Sequence, residues 1–317
     1  MNDRDDHLIL AIDLGGTQLR AALVNAAGEI IVRDSTRTDA AGGPGAVISQ
    51  IGDLSEKLLA LRPESKIRVA GISCPGPLDT QSGRTYAIAT LPGYEGYPFA
   101  KHAQTLLGVP VVLEHDGHAA AYGEWKLGAG HGFDNLIYLT VSTGLGGGAI
   151  VNGQLLRGAG GMACHVGHMT VDPQGPQCGC GNRGCWEMAA SGTSFLTRMR
   201  QRARTENRTV LGLSLEAIEA ADIFKAARSG ESFACECVEE EARWLGLGIV
   251  NLIHLFNPAR FVIGGGMSNN LDLLLPGIFA RIDNYAMSPY RNLSIVKAGL
   301  GDNAGLIGAA LLASETL

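Results

Sequence analysis

Leu8-Ile-Leu-Ala-Ile-Asp-Leu-Gly-Gly-Thr17 is an apolar run that ends in a glycine pair and is broken only by Asp13. Such a run reads as a buried strand, and Gly15 and Gly16 allow a sharp turn with close backbone approach. The following stretch, Gln18-Leu-Arg-Ala-Ala-Leu-Val24, the turn Asn25-Ala-Ala-Gly28 and the run Glu29-Ile-Ile-Val-Arg33 extend this start into a β-meander. Residues 45–61 then carry helical spacing, and Val69-Ala-Gly-Ile-Ser-Cys74 is another strand, closed by Pro75-Gly-Pro77.

The same pattern returns at Leu136-Ile-Tyr-Leu-Thr-Val-Ser-Thr-Gly-Leu-Gly-Gly-Gly148, followed by Ala149-Ile-Val-Asn-Gly-Gln-Leu-Leu156. Both blocks read strand, glycine turn, strand, Asn/Gly turn, strand, which predicts an internal structural repeat with one copy in each half. Residues 191–256 read as mostly helical, with an amphipathic run at 235–255. Phe261-Val-Ile-Gly-Gly-Gly266 gives a further strand and glycine turn, and Ala304-Gly-Leu-Ile-Gly-Ala-Ala-Leu-Leu-Ala313 reads as a small-residue helix packed closely on a neighbour.

With 317 residues, two domains are expected. The net charge is −6 and no Lys/Arg run stands out, which argues against nucleic acid as a partner. The polar opening Met-Asn-Asp-Arg-Asp-Asp-His lacks the apolar core of a secretion signal, and no apolar stretch reaches the ~20 residues that span a bilayer, so a cytoplasmic, membrane-free protein is expected. In that compartment the seven cysteines favour metal ligation over disulfides.

Glycines after a strand let backbone N–H groups reach phosphate oxygens. Three such turns occur: Asp13-Leu-Gly-Gly-Thr17, Ser142-Thr-Gly-Leu-Gly-Gly-Gly148 and Gly264-Gly-Gly266. A tight hairpin would account for any one of them alone, but three together with Asp13, Thr17 and Thr143 point to a nucleotide. The first two match neither a Walker A loop, having no Lys, nor a dinucleotide fingerprint, since each feeds a strand. ATP would rest on Gly15, Gly16, Thr17, Gln18, Thr143, Gly144, Gly264 and Gly265, with Asp13 near its Mg²⁺ through water. His168, Cys178, Cys180 and Cys185 form a soft four-ligand set suited to a closed structural Zn²⁺ site, with incidental clustering of reduced thiols as the alternative. Cys74, Cys164, Cys235 and Cys237 read as ordinary residues.

Val111-Val-Leu-Glu-His-Asp-Gly-His118 ends an apolar strand with Asp116 at its tip. An Asp there is ordinarily a cap, yet transfer of a phosphoryl group to an alcohol needs a carboxylate in such a place to take the hydroxyl proton. With these runs in this order, and with Leu91-Pro-Gly-Tyr94, Gly167-His168 and Glu187 between them, nearly the whole chain resembles the ROK family of sugar kinases and repressors. The resemblance implies a two-domain α/β fold of the actin-like ATPase and hexokinase type with an inter-domain cleft. One domain would span 1–120, completed by the C-terminal helix at about 303–317, and the other 121–302 with the zinc loop. It implies Asp116 as catalytic base, His168 and the three cysteines on zinc, Glu187 and His168 on sugar, and a homodimer.

Three positions depart from the glucose-using pattern: Thr90 and His115 stand where those members have Asn, and His165 where they have Glu. Thr90, His115 and His165 complete the sugar-contact set. A neutral imidazole both donates and accepts, so it cannot copy a purely accepting carboxylate and suits a sugar substituent that presents an acceptor, such as an acetamido carbonyl. Bacterial N-acetylmannosamine kinases are similar at His165-Val-Gly-His168 and Asp172-Pro-Gln-Gly-Pro-Gln-Cys-Gly-Cys-Gly181, so N-acetylmannosamine is the expected acceptor, with glucose or another hexose as runner-up. A repressor is disfavoured because the first glycine turn begins at Asp13, and a sensor without catalysis because Asp116 is present.

Overall fold

The computed structural model describes residues 7–317; the polar residues 1–6, read above for a missing leader, lie outside the described residues. The first sheet has the order β3-β2-β1-β4-β7 and contains β1 (His7–Leu14), β2 (Gln18–Val24), β3 (Ile30–Arg37), β4 (Lys66–Cys74) and β7 (Val111–His115). The first three strands pair antiparallel, with Asp13 opposite Arg20, and β4 and β7 continue the sheet in parallel. Between them come α1 (Gly43–Ala60), a short hairpin of β5 (Leu78–Asp79) and β6 (Arg84–Thr85), and α2 (Phe99–Leu107); α3 (Asp116–Leu127) follows β7.

Strand periodicity divides β1 between two cores. Leu8, Leu10, Ile12 and Leu14 face one cluster with Val47, Ile51, Leu54 and Leu58 of α1 and Phe99 of α2. Ile9 and Ala11 face the other, with Leu306, Ala310 and Ala313 of α9 (Ala304–Ser314). Both faces are therefore covered, which is why the run looks uniformly apolar.

The second sheet has the order β10-β9-β8-β11-β12, from β8 (Leu136–Val141), β9 (Leu145–Val151), β10 (Gln154–Leu155), β11 (Arg260–Gly264) and β12 (Ser294–Lys297). Its β8, β11 and β12 are parallel, and β10 pairs antiparallel with β9. The order matches that of the first sheet strand for strand, in keeping with a structural repeat. The helical stretch at 191–256 is broken: α4 (Trp186–Ala190), α5 (Gly192–Glu206), α6 (Ala220–Arg228) and α7 (Ser232–Phe256) are separate, because Asn207 ends α5 in the left-handed region and residues 207–219 form turns. Helix α8 (Leu271–Tyr285) follows β11 and packs on α7. Trp186 is fully buried against Gly248 of α7, where a Cβ would lie 2.0 Å from the indole, and its Nε1 donates to the Trp244 carbonyl at 2.9 Å.

The chain divides into two compact units. The first holds the described residues through Asp134, together with Gly148–Cys164 and Gly299–Leu317; the second holds Asn135–Gly147 and His165–Ala298. Helix α3 packs on α9, and both lie whole in the first unit. The approach of α9 is at backbone distance: a Cβ on Gly308 would sit 1.7 Å from the Ala119 carbonyl oxygen, and one on Gly71 of β4 would sit 2.0 Å from that of Ala309. Glu124, fully buried on α3, accepts the backbone N–H groups of Ala129, Gly299 and Leu300 at 2.7–2.9 Å and so fixes where the chain re-enters the unit.

Because the obstacle at Gly308 is backbone, Gly308→Ala is expected to destabilise the protein by about 1–3 kcal/mol or more. A thermal melt checks this; an unchanged midpoint would show that α9 can shift without cost.

Candidate active site

In the first unit the glycine turn is held in shape by its own backbone. Gly15 N–H donates to the Gln18 carbonyl at 2.9 Å, while Thr38 donates its N–H to the Thr17 carbonyl and its hydroxyl to that of Gly15. Thr17 and Gln18 are exposed at the tip. A Cβ on Gly16 would lie 2.8 Å from Thr90 Cβ, so the lack of a side chain brings exposed Thr90 beside the turn.

Asp13 ends β1 under this turn. Arg20 Nη1 donates to its Oδ2 at 3.0 Å across the hairpin, and Ser73 Oγ donates to its Oδ1 at 2.9 Å from β4. Burial nevertheless raises its pKa, only partly offset by Ser73 and Arg20, and the charge of Asp116 adds to the rise. Sequence spacing singled out Asp13 but missed Arg20 and Ser73; the hairpin register Asp13↔Arg20 is the signal that could have found the first.

Asp116 follows the last residue of β7 and opens α3, where the positive end of the helix favours a carboxylate. Its Oδ1 accepts the Gly117 N–H at 2.6 Å and lies 3.2 Å from Nε2 of His115, and its side chain is 46% exposed. Beneath it runs an ionic network that sequence reasoning did not anticipate. Buried Glu114 accepts the His115 N–H at 3.0 Å, His118 Nδ1 at 3.0 Å and Arg157 Nε at 2.8 Å. His118 Nε2 in turn faces the Ala163 carbonyl at 2.8 Å, so both ring nitrogens meet acceptors. Burial works against the Glu114 carboxylate, but the His118 and Arg157 partners prevail and hold its pKa below the usual range. Glu114 and His118 are four residues apart, a spacing that carries no signal until one knows that a helix starts between them.

In the second unit the turn after β8 is closed by Ser142 N–H donating to the Gly144 carbonyl at 2.9 Å, and Thr143 is exposed on it. Glu187 of α4 supports the turn: its Oε2 accepts the Leu145 N–H at 2.9 Å, and a Cβ on Gly144 would lie 2.6 Å from that oxygen. Gly265 has φ +80, and a Cβ there would be 2.4 Å from the Val141 carbonyl oxygen, which sets the Gly264–Gly265 turn against the end of β8. The His165 and His168 rings are 6.3 Å apart and nearly parallel.

The ligand atoms of His168, Cys178, Cys180 and Cys185 all lie within 4.8 Å of one another. The Cys180 and Cys185 sulfurs are 3.6 Å apart, close to the ~3.8 Å spacing of thiolates on tetrahedral zinc with bonds of ~2.3 Å. Asn182 Nδ2 donates to both Thr170 Oγ1 and Cys185 Sγ, a support of the kind that orients metal ligands. Cys185 immediately precedes α4, so the same corner that gathers the thiols aims Glu187 at the Gly144 turn. The donor set fits zinc.

Two similar five-stranded sheets, each with a glycine turn after a strand, and a carboxylate at the head of a helix define the class of actin-like and hexokinase folds. The ROK family model matches residues 9–316, and the chain belongs to the ROK family. It is 36% identical over 316 residues to a glucokinase of Streptomyces coelicolor, covering 97% of this chain and 98% of the relative. It is 34% identical over 307 residues to an N-acetylmannosamine kinase of Shigella flexneri, covering 96% and 98%. A ROK family glucokinase from Streptomyces griseus, solved in complex with glucose and AMPPNP, superposes with a TM-score of 0.84 at 35% identity, covering 97% of this chain and 99% of that one. Among the described residues, no helix is long and apolar enough to cross a membrane.

The depressed pKa of Glu114 sets a sign. Its stabilising contribution is full above the ordinary carboxylate value of about 4.3 and is lost as pH falls through its lower folded value. Glu114→Gln is therefore expected to lower the melting temperature clearly at pH 7, with the gap to the parent narrowing below about pH 4. Equal gaps at both pH values would contradict the charged network.

Proposed function

We propose that this ROK-family sugar kinase transfers the terminal phosphoryl group of ATP to the 6-hydroxyl of a hexose or amino sugar, with Asp116 as the base. The observation that carries this reading is the alignment at the C-terminal ends of β1, β4 and β7. There, Asp13 pairs in register with Ser73 and Cys74 with His115, so that Asp116 emerges from the same sheet edge as the Gly15–Thr17 turn. The sugar oxygen forms its bond to phosphorus as the bond to ADP breaks, ADP leaves with that electron pair, and the hydroxyl proton passes to Asp116.

In the first unit, Gly15, Gly16, Thr17 and Gln18 serve the phosphates and Asp13 the hydrated Mg²⁺, with Thr90 on the sugar. In the second, Thr143, Gly144, Gly264 and Gly265 serve the nucleotide, and His165, His168 and Glu187 the sugar. His168, Cys178, Cys180 and Cys185 would hold zinc, whose closed coordination orders the loop before Glu187 and supplies no nucleophile.

Two acceptors have specific support. The half-buried imidazole of His165 suits the acetamido group of N-acetylmannosamine. The slightly higher identity to a glucokinase than to an N-acetylmannosamine kinase supports glucose at least as strongly.

Asp116→Asn is expected to cut turnover by ~10²–10⁴-fold while the melting temperature and ATP binding hold; near-parental turnover would remove Asp116 from its role. Coupled ADP-release assays across N-acetylmannosamine, N-acetylglucosamine, glucose, mannose and fructose decide the acceptor, and preference for an unacetylated hexose would overturn the argument from His165. Elemental analysis should find stoichiometric zinc in the purified protein and its loss in Cys185→Ser; metal-free parent protein would refute the site.

A further inference from the structure

His115 stands next to the proposed base, and its ring does something its position does not require. It is the residue before the first turn of α3, where Asn, Asp or Ser ordinarily caps a helix amide with a side-chain oxygen. The imidazole makes no such cap. The Asp116 carboxylate takes the Gly117 N–H itself, and the His115 ring is turned onto the same oxygen, Nε2 to Oδ1 at 3.2 Å. The ring is 7% exposed, against 46% for Asp116. It is wedged edge-on against His118, with ring centres 5.1 Å apart, and its backbone pairs with Cys74 of β4.

Three elements surround it. From β4 comes the Cys74 thiol, which burial keeps protonated. From its own strand comes Glu114, already bonded to His118 and Arg157. From α3 come His118 and Asp116. Burial, reinforced by the charge of His118 and only partly opposed by Glu114, pushes the His115 pKa down to about 3, so the ring is neutral at working pH. A neutral ring facing a carboxylate oxygen must present its single N–H there, since a bare nitrogen would set lone pair against lone pair.

We infer that His115 is a positioning residue for Asp116: a buried neutral imidazole whose Nε2–H fixes the rotation of the carboxylate, in place of a contact with the sugar. Two donors on one oxygen, one from the helix backbone and one from a ring locked by His118, hold the carboxylate plane still about its Cβ–Cγ bond. A base held in this way meets the acceptor hydroxyl at one orientation, which favours the proton-transfer geometry over affinity for the sugar. The inference rests on the reading of Asp116 as base.

The test is steady-state kinetics of the full chain with its best acceptor and ATP. His115→Phe keeps the ring and removes the donor, and kcat is expected to fall ~10–100-fold with the sugar KM changed by less than ~3-fold. In His115→Gln the side-chain amide N–H reaches the place of Nε2, and kcat should return to within ~3-fold of the parent. Melting temperatures confirm folding, and His115→Leu replaces the Phe variant should that one fail to fold. A raised sugar KM with kcat intact would make His115 a sugar contact and overturn the inference. So would equal kcat losses in the Phe and Gln variants, which would reduce its role to packing. Asp116→Asn separates the two levels: if it is inactive while His115→Phe is unaffected, only the His115 role falls, and if it retains turnover the base assignment falls first and takes this role with it.

Discussion

The first unit is organised by how closely its last helix can approach. Helix α9 packs on β1, β4 and α3, against the last two with backbone on backbone, and a single methyl group at Gly308 or Gly71 would occupy space already held by a carbonyl oxygen. Such contact leaves no room for adjustment by side-chain rotation, so the positions of β1, β4 and α3 relative to one another are set once α9 is seated. Asp13 lies at the end of β1, Ser73 near the end of β4 and Asp116 at the head of α3. Their spacing is thus a property of the scaffold. Glu124 adds a polar fastening, placing one buried carboxylate on three backbone amides.

Within this frame, three carboxylates on neighbouring elements meet different surroundings. Glu114 is surrounded by cationic and amide donors and stays charged at depth, which makes it structural. Asp13 has two donors but more burial than they offset, so its charge is costly and ready to be shared with a cation. Asp116 is the one of the three with nearly half its side chain exposed, at a helix start. Differences in solvation and partners, not in residue type, separate the structural acid from the one proposed as the base.

Much of this was legible in the sequence. The run at Leu8–Thr17 gave a two-sided strand because both of its faces are covered, and the recurrence at Leu136 anticipated a second sheet of matching order. The cysteine spacing brought four ligands together because the glycines between them permit a tight knot, and Gly184, whose Cβ would fall 1.6 Å from the Asp172 carbonyl oxygen, admits no side chain. Contacts distant in sequence were not legible. Arg157 reaches Glu114 across 43 residues and Glu124 captures amides 175 residues away. No local pattern marks either acid, since each looks like an ordinary helix or strand-end carboxylate until the fold closes. Helix α2 was also missed, its nine residues being too short for periodicity to stand out.

The late position of α9 in the chain bears on synthesis. The strands β1, β2 and β4 leave the ribosome early, with Ile9, Ala11, Ala22, Val24 and Val69 forming an apolar face that α9 covers. More than two hundred residues, including the whole second unit, must be translated before that cover exists. At ordinary elongation rates of ~5–20 residues per second, the interval is on the order of ten seconds or more. During it the nascent sheet has an unprotected greasy side, the kind of surface that draws chaperones or neighbouring chains. The kinase scaffold is therefore most vulnerable while being made, and the small, sticky Ala/Gly/Leu helix that finishes it is the segment on which expression yield should turn.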